Sequence, residues 1–181
     1  GMSSEEGKVS TYREFQEQVL PRVVDLGYNA IQIMAVQEHP YYGSFGYHVS
    51  SFYAPSSRFG TPDDLKALID AAHGLGLKVI MDFVPNHVAR EYHAVRNEVE
   101  GLARYDGSRT LFFHEGPRGD HPAWDSLCFD YGRNNVMHFL LSNCKYWLEV
   151  FQFDGFRFDG VSSMLYYNHG LGESFNSYSD Y

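Results

Sequence analysis

Features of disulfide-rich, nucleic-acid-binding and membrane-spanning proteins are scarce in this sequence. Its two cysteines, Cys128 and Cys144, are too few for a disulfide framework, so we expect a reduced, cytoplasmic setting. Lys and Arg number 14 against 23 Asp and Glu, and the net charge of −9 argues against binding to nucleic acid or to an anionic membrane surface. The first residues lack the basic and apolar pattern of a signal peptide, and no apolar run is long enough to cross a bilayer.

Motifs that would bind a nucleotide, a metal or a serine-hydrolase substrate are absent as well. There is no G-x-G-x-x-G fingerprint, no Walker loop and no G-x-S-x-G elbow. Asp82, Asn86 and His87 have side chains that can ligate an ion, but their spacing matches no standard zinc pattern. His114-Glu115 lacks the second histidine of a zinc-binding helix. We therefore expect no metal and no cofactor.

Aromatic residues, in contrast, are abundant. The chain contains 14 Tyr, 14 Phe and 2 Trp among its 181 residues, and 44% of the residues are hydrophobic. A chain of this length and composition can bury a core of its own as one domain. The aromatic side chains fit either a heavily packed core or a sugar-binding cleft, because aromatic faces suit the apolar faces of pyranose rings.

The chain alternates between helical patterns and short apolar runs. A capping-box pattern at Thr11 opens a helix that Pro21 should break into two pieces. Thr61 followed by Pro62 marks the start of a second helix. Each helix precedes a segment that is predicted to be a buried strand. The three predicted strands are 30–36, 78–84 and 153–160.

A third helix is predicted from an Asn134 or Asn135 cap to about Val150. Its expected buried stripe consists of Val136, Phe139, Leu140, Cys144, Trp147 and Leu148. The stretch 88–133 before it has no clear period and is too long for an ordinary loop. We therefore expect 88–133 to be a functional excursion at the C-terminal end of the second strand.

Three helix–strand units predict an α/β fold with a parallel sheet and helical crossovers. Both an open doubly wound sheet and an arc of a barrel fit this pattern. A complete (β/α)8 TIM barrel takes roughly 250 residues, so a chain of 181 residues with three strands can form only a part of one.

Charged side chains lie where the predicted strands end. Side chains alternate along a strand, so Arg157 and Asp159 share one face, and the arginine favours the ionised carboxylate that a nucleophile requires. Asp82 lies inside a buried strand, where a lone carboxylate is costly, and Arg157 is its expected partner. That pair alone fits a purely structural role equally well. The addition of Asp159, His87 and Tyr47, all at strand ends, favours a functional site.

Two of these segments resemble motifs of the α-amylase superfamily, family 13 of the glycoside hydrolases. Asp82-Phe-Val-Pro-Asn-His87 is similar to the motif at the end of barrel strand three, and Gly155-Phe-Arg-Phe-Asp159 is similar to the motif at the end of strand four. Within the family the chain particularly resembles 1,4-α-glucan (glycogen) branching enzymes, over almost its whole length. The further segments that carry this likeness are 27–34, 45–62, 114–119 and 155–166.

The resemblance implies a role for each candidate residue. Asp159 would be the nucleophile of a retaining double displacement, and Arg157 would position it. Tyr47 and His87 would line the sugar subsite beside the scissile bond, Tyr47 by stacking, and Asp82 would support them. The implied partner is α-1,4-glucan or glycogen, from which a chain is transferred to a 6-hydroxyl to form an α-1,6 branch.

The resemblance also implies that part of the site is missing. Retaining glycosidases need a second carboxylate as acid/base, and the family supplies it after strand five, with a further Asp after strand seven. Glu173 does not match those motifs. We therefore expect residues 1–181 to be a partial catalytic barrel, covering about strands two to four. Alone, it should be nearly inactive and should self-associate through exposed strands.

Two alternatives to a branching enzyme stay open. Pro85-Asn86-His87 is also typical of amylases, so the motif does not separate a glucan transferase from an α-1,4-glucan hydrolase. A non-catalytic glucan-binding module that keeps the shape of the site is the third possibility, although the intact Arg157 and Asp159 disfavour it.

Overall fold

The computed structural model describes residues 9–89, 112–172 and 176–180. Within these ranges the α-helices are α1 (Tyr12–Gln18), α2 (Leu20–Asp25), α3 (Pro62–Gly74), α4 (Asn134–Val150) and α5 (Val161–Leu165). The strands are β1 (Ala30–Ile33), β2 (Gln37–Glu38), β3 (Ser51–Pro55), β4 (Lys78–Phe83), β5 (His87–Ala89), β6 (Asp120–His121), β7 (Ser126–Cys128) and β8 (Gly155–Phe158). Residues 90–111 of the predicted excursion, and Glu173, lie outside the described residues.

The first helices begin where their capping residues predict. Thr11 Oγ1 accepts the Glu14 N–H at 3.1 Å, and a Glu14 carboxylate oxygen accepts the Thr11 N–H at 3.0 Å. Thr61 and Asp64 form the same reciprocal box at the start of α3. Pro21 lies in the first turn of α2, where its missing N–H costs little, and the helix is interrupted just before it. The predicted caps and the break are therefore confirmed.

A parallel sheet with the strand order β1–β4–β8 forms the centre of the described structure. Ile33 lies opposite Met81, and Asp82 lies opposite Arg157. The connections between these strands contain α3 and α4, so each strand is added beside the preceding one. This confirms the predicted parallel α/β architecture. Among the described residues the sheet is an open arc and does not close into a barrel.

The two outer strands are shorter and more exposed than predicted. β1 ends at Ile33, and the chain then turns into β2, which pairs antiparallel with β3, so the predicted strand 30–36 is too long. β8 was expected to be buried, but Arg157 is exposed and Phe158 keeps 43% of its surface accessible. The physical reason is that β1 and β8 are the edges of the described sheet, whereas β4 is covered on both sides.

Helix α4 follows the predicted length but differs in its cap and in one part of its buried stripe. Its N-cap is Arg133, which has no side-chain cap, so the predicted asparagine cap is wrong. Asn143 is fully buried in the stripe, whereas Leu148 is 39% exposed, contrary to the prediction. The cause is a polar contact: Asn143 Nδ2 and Trp147 Nε1 both donate to the Phe52 carbonyl, at 2.7 and 3.1 Å.

The described part of the excursion 88–133 has a structure of its own. β5, β7 and β6 form a small antiparallel sheet in that order. Phe113, Leu127 and Phe129 are buried in a second core beneath it, separate from the core between the parallel sheet and helices α1, α3 and α4. The excursion is therefore packed rather than irregular over these residues. No helix among the described residues is long and apolar enough to cross a membrane.

Candidate active site

Asp82 and Arg157 form the base of the site. The parallel register places them side by side on β4 and β8. Arg157 Nη1 donates to Asp82 Oδ1 at 2.8 Å and to Asp159 Oδ1 at 2.6 Å. Asp82 is buried, and hydrogen bonds to Asp82 and then Asp159 raise the pKa of Arg157, so the guanidinium stays charged. The predicted partner of the buried carboxylate is confirmed, and one cation links it to Asp159.

Tyr47 contacts Asp82 from the opposite side. Its hydroxyl donates to Asp82 Oδ2 at 2.8 Å, so both oxygens of the buried carboxylate are satisfied. Burial, followed by the contact with Asp82, raises the pKa of Tyr47 to about 12, and the phenol remains a hydrogen-bond donor. This contact anchors the Tyr47 ring at the wall of the site.

His87 begins β5 and is held by the segment that carries Tyr47. Its Nε2 lies 2.9 Å from the Tyr47 carbonyl oxygen, which can only accept, so Nε2 carries the proton. Burial lowers the pKa of His87 to about 4, with a smaller effect from His48 and His121. His87 is therefore neutral at pH 7.

Asp159 follows β8 in a tightly defined turn. Its N–H donates to the Phe83 carbonyl at 2.8 Å, and Gly160 then adopts a positive φ of 58° as the N-cap of α5. A Cβ at Gly160 would lie 1.8 Å from the amide nitrogen of the buried Asn86. Only glycine fits this turn, and the turn directs Asp159 toward open space.

A cavity of about 710 Å³ opens beside these residues. Its lining includes Tyr47, His87 and Asp159, while Asp82 and Arg157 support them from behind. The structure thus brings all five sequence-predicted residues together. The cavity walls also contain residues that the sequence did not single out: Tyr41, Ser44, His48, Ala123, Trp124 and Asp125. The sequence signals for them were general: the abundance of aromatic residues, and the position of Ala123, Trp124 and Asp125 in the excursion that was expected to be functional.

The chemistry available here is that of a carboxylate beside a guanidinium at the edge of a cavity with aromatic walls. Such a carboxylate is an anionic nucleophile for an electrophilic carbon bound in the cavity. Among the described residues, no group of three or more His, Cys, Asp and Glu side chains is arranged to hold a metal ion.

Comparison with known proteins places this geometry in a family. Over its whole length the chain is 55% identical to a 1,4-α-glucan-branching enzyme of Yarrowia lipolytica and 56% identical to the chloroplastic/amyloplastic 1,4-α-glucan-branching enzyme 2-2 of Arabidopsis thaliana. It covers 26% and 22% of those two proteins, so it spans about a quarter of the length of the curated relatives it matches.

A solved structure supports the fold. The noncanonic maltogenic α-amylase of Thermotoga neapolitana superposes with a TM-score of 0.68 at 24% identity, covering 86% of this chain and 36% of that one. The predicted fold class, part of an α-amylase-type (β/α)8 barrel, is thereby confirmed. The family model described as the catalytic domain of α-amylase matches residues 17–130, which is more than half of the chain. The chain therefore belongs to the α-amylase catalytic-domain family.

Proposed function

We propose that this chain forms the nucleophile side of the active site of a 1,4-α-glucan branching enzyme, a glycoside hydrolase family 13 transferase. The observation that carries the proposal is the identity of 55–56% with branching enzymes over the whole chain. That likeness includes the excursion 88–133, where the requirements of a barrel alone would not impose it. The cavity beside Asp159 supplies a place for the glucan.

In the proposed reaction, a carboxylate oxygen of Asp159 bonds to C1 of a glucosyl unit while the bond from C1 to the leaving O4 breaks. The leaving oxygen takes a proton from a general acid. In the second step the 6-hydroxyl oxygen of an acceptor glucan bonds to C1, Asp159 leaves as a carboxylate, and the hydroxyl proton passes to the same acid/base. The products are an α-1,6 branch and a shortened donor.

The other site residues have supporting roles in this proposal. Arg157 holds Asp159 in position through the 2.6 Å contact. Asp82 fixes Arg157 and the Tyr47 hydroxyl. The Tyr47 ring, tethered in this way, stacks on the glucosyl unit that reacts. His87, neutral and buried, closes the wall beside it.

The second carboxylate is proposed to come from a part of the enzyme outside this chain, because the curated relatives are about four times as long. Retaining enzymes place the two carboxyl groups about 5–5.5 Å apart, and both are needed for turnover. The chain alone should therefore bind glucan weakly and not catalyse transfer. A cytoplasmic setting remains our proposal, supported by the two free cysteines, Cys128 and Cys144.

The decisive experiment incubates the full-length protein that contains this chain with amylose. Branching predicts new α-1,6 linkages in the proton NMR spectrum without a matching rise in reducing ends. Free oligosaccharides and rising reducing ends would instead identify an α-1,4-glucan hydrolase. The matched control is Asp159→Asn, which keeps the shape of the side chain and should abolish transfer. A non-catalytic glucan-binding module would bind amylose without producing either signal.

The isolated chain offers a separate test. β1 and β8 are edges of the described sheet, and Met34, Phe45 and Phe158 leave 52, 56 and 43% of their surfaces exposed. Strand edges and apolar patches of this kind favour association. Sedimentation velocity should show oligomers of the 181-residue chain at micromolar concentration. A monodisperse monomer with a high melting temperature would contradict this.

A further inference from the structure

Trp124 is an exposed indole on the wall of the cavity that contains Asp159. It keeps 42% of its surface accessible, whereas the other tryptophan of the chain, Trp147, is fully buried in the core. The buried His121 lies parallel against it, with ring centroids 3.9 Å apart and an interplanar angle of 8°. One face of the indole is therefore covered by His121, and Trp124 is one of the residues that line the cavity.

The position of Trp124 is tied to the segment that carries Tyr47. The Trp124 carbonyl oxygen lies 2.5 Å from His48 Nε2, and His48 is the next residue after Tyr47. The His87 ring lies between the two segments, bonded to the Tyr47 carbonyl and 5.2 Å from the Trp124 ring. Tyr47 and Trp124 both line the cavity, and these contacts connect the segments that carry them. A preformed wall binds a ligand with little loss of conformational entropy.

We infer that the Trp124–His121 stack is the aromatic wall of a second glucosyl subsite, next to the one proposed over Tyr47. The inference rests on the proposed function, because it assigns the adjoining part of the same glucan chain to this wall. The ligand class is a pyranose unit of an α-1,4-glucan, whose C–H face packs on the indole. Ser44, His48 and Asp125 line the same cavity and supply polar groups for the hydroxyls at its rim.

A purely structural role for the stack explains less of the geometry. Aromatic residues that only pack the excursion, such as Phe113 and Phe129, are completely buried. The buried His121 could pack the excursion by itself, without an indole on the cavity wall. Trp124 instead stacks on a buried ring, keeps part of its surface accessible and lines the cavity, a combination that is typical of a binding residue.

Binding of maltoheptaose tests the inference without depending on turnover. The full-length protein is used in an Asp159→Asn background, so that the probe is not consumed, and the dissociation constant is measured by calorimetry. Trp124→Ala should raise it about tenfold, the scale of one lost aromatic contact. Trp124→Phe keeps a flat ring and should stay within about threefold of the parent. Tyr28→Ala removes an aromatic side chain that is 64% exposed outside the cavity lining, and it should have no effect.

Trp124→Leu separates a stacking role from simple packing. Leucine keeps apolar bulk but has no flat face, so it should bind maltoheptaose as weakly as the alanine variant while its melting temperature stays near that of Trp124→Phe. Should Trp124→Ala fail to fold, the comparison of the Phe and Leu variants decides the question. Equal binding by Leu and Phe, or unchanged binding by Ala, would overturn the inference, as would a parent protein that does not bind maltoheptaose.

The branching assay distinguishes this inference from the proposed function. With Asp159 restored, Trp124→Ala should raise KM for amylose about tenfold and leave kcat within about threefold. Maltoheptaose binding that depends on the Trp124 ring, in a protein that forms no α-1,6 linkages, would leave the subsite supported and the proposed function wrong. Normal branching with ring-independent binding would refute the subsite alone.

Discussion

His87 should make the folded protein sensitive to mild acid. Burial lowers its pKa from 6.5 to about 4, so between these pH values the unfolded chain binds a proton that the folded chain excludes. The stability contributed by the neutral ring is complete above pH 6.5 and is lost as the pH falls toward 4. At about 1.4 kcal/mol per pH unit, the whole interval corresponds to roughly 3 kcal/mol, of which about 2 kcal/mol is lost by pH 5.

Two neighbouring histidines lower the pKa of His87 further. His48 lies in ring contact with centroids 6.4 Å apart, and the protonated form of either His48 or His121 further disfavours a charge on His87. The Tyr47 carbonyl has the opposite effect and raises the pKa of His87, because it accepts a hydrogen bond from Nε2–H, but burial is the larger effect. The contribution of His87 is isolated by a difference between variants, because the chain contains eight other histidines.

Urea unfolding at pH 7 and pH 5 measures that difference. His87→Gln retains an N–H donor for the Tyr47 carbonyl and cannot titrate, so it should lose about 2 kcal/mol less than the parent between the two pH values. The exposed His138→Gln on α4 is the matched control and should behave like the parent. Nitrogen-15 NMR of the imidazole should show the Nε2–H tautomer of His87 at pH 5. Titration of His87 near pH 6.5, or identical losses in the His87→Gln variant and the parent, would refute the reasoning.

Three further predictions concern stability, measured by urea unfolding at pH 7. Asp82→Ala should lower the free energy of unfolding by about 2 kcal/mol, which is less than the loss of a fully buried ion pair, because Arg157 retains its contacts with Asp159 and solvent. Asp159→Ala removes an exposed contact and should cost under about 1 kcal/mol, so equal costs of the two variants would contradict this prediction. Gly160→Ala should cost about 3 kcal/mol, because the added Cβ meets both an unfavourable positive φ and a clash with Asn86. Gly76→Ala has the unfavourable φ of +79° without a clash and should cost only about 1 kcal/mol. A similar cost at both glycines would show that the clash is relieved. Asn143→Leu removes a donor to the Phe52 carbonyl and should cost about 2 kcal/mol, whereas the control Leu141→Ala, at an exposed position, should cost almost nothing. An unchanged free energy of unfolding for Asn143→Leu would mean that the other donors satisfy the carbonyl.

The elements that were predicted correctly are those whose signals are local. Thr11, Pro21 and Thr61 act on backbone groups within a turn of themselves, so the starts and the break of the helices follow from the chain alone. The predicted burial of Leu148 failed for the opposite reason. The buried Asn143 donates to the Phe52 carbonyl on β3, far away in the sequence, and no helical periodicity contains that information.

The residues of the candidate site also divide into those that local sequence signals predict and those that they do not. Arg157 and Asp159 lie two residues apart on one strand, so their common face follows from the period of a strand, and the partner of Asp82 follows from the cost of burying a lone carboxylate. Trp124 was missed, since it lies in an excursion without a period and its proposed role depends on the contact with His121.

The sequence by itself therefore determined the α/β class, the capped helices and the polar strand ends, because each depends on spacing along the chain. Tertiary structure alone decided which strand is exposed and where the cavity lies. β8 is exposed because it is the edge of the described sheet, and the cavity exists because the excursion folds back, with His48 bonded to Trp124 and His87 bonded to the Tyr47 carbonyl. Those contacts join residues 40 to 76 positions apart, and their closure depends on the packing of the whole domain rather than on any local preference.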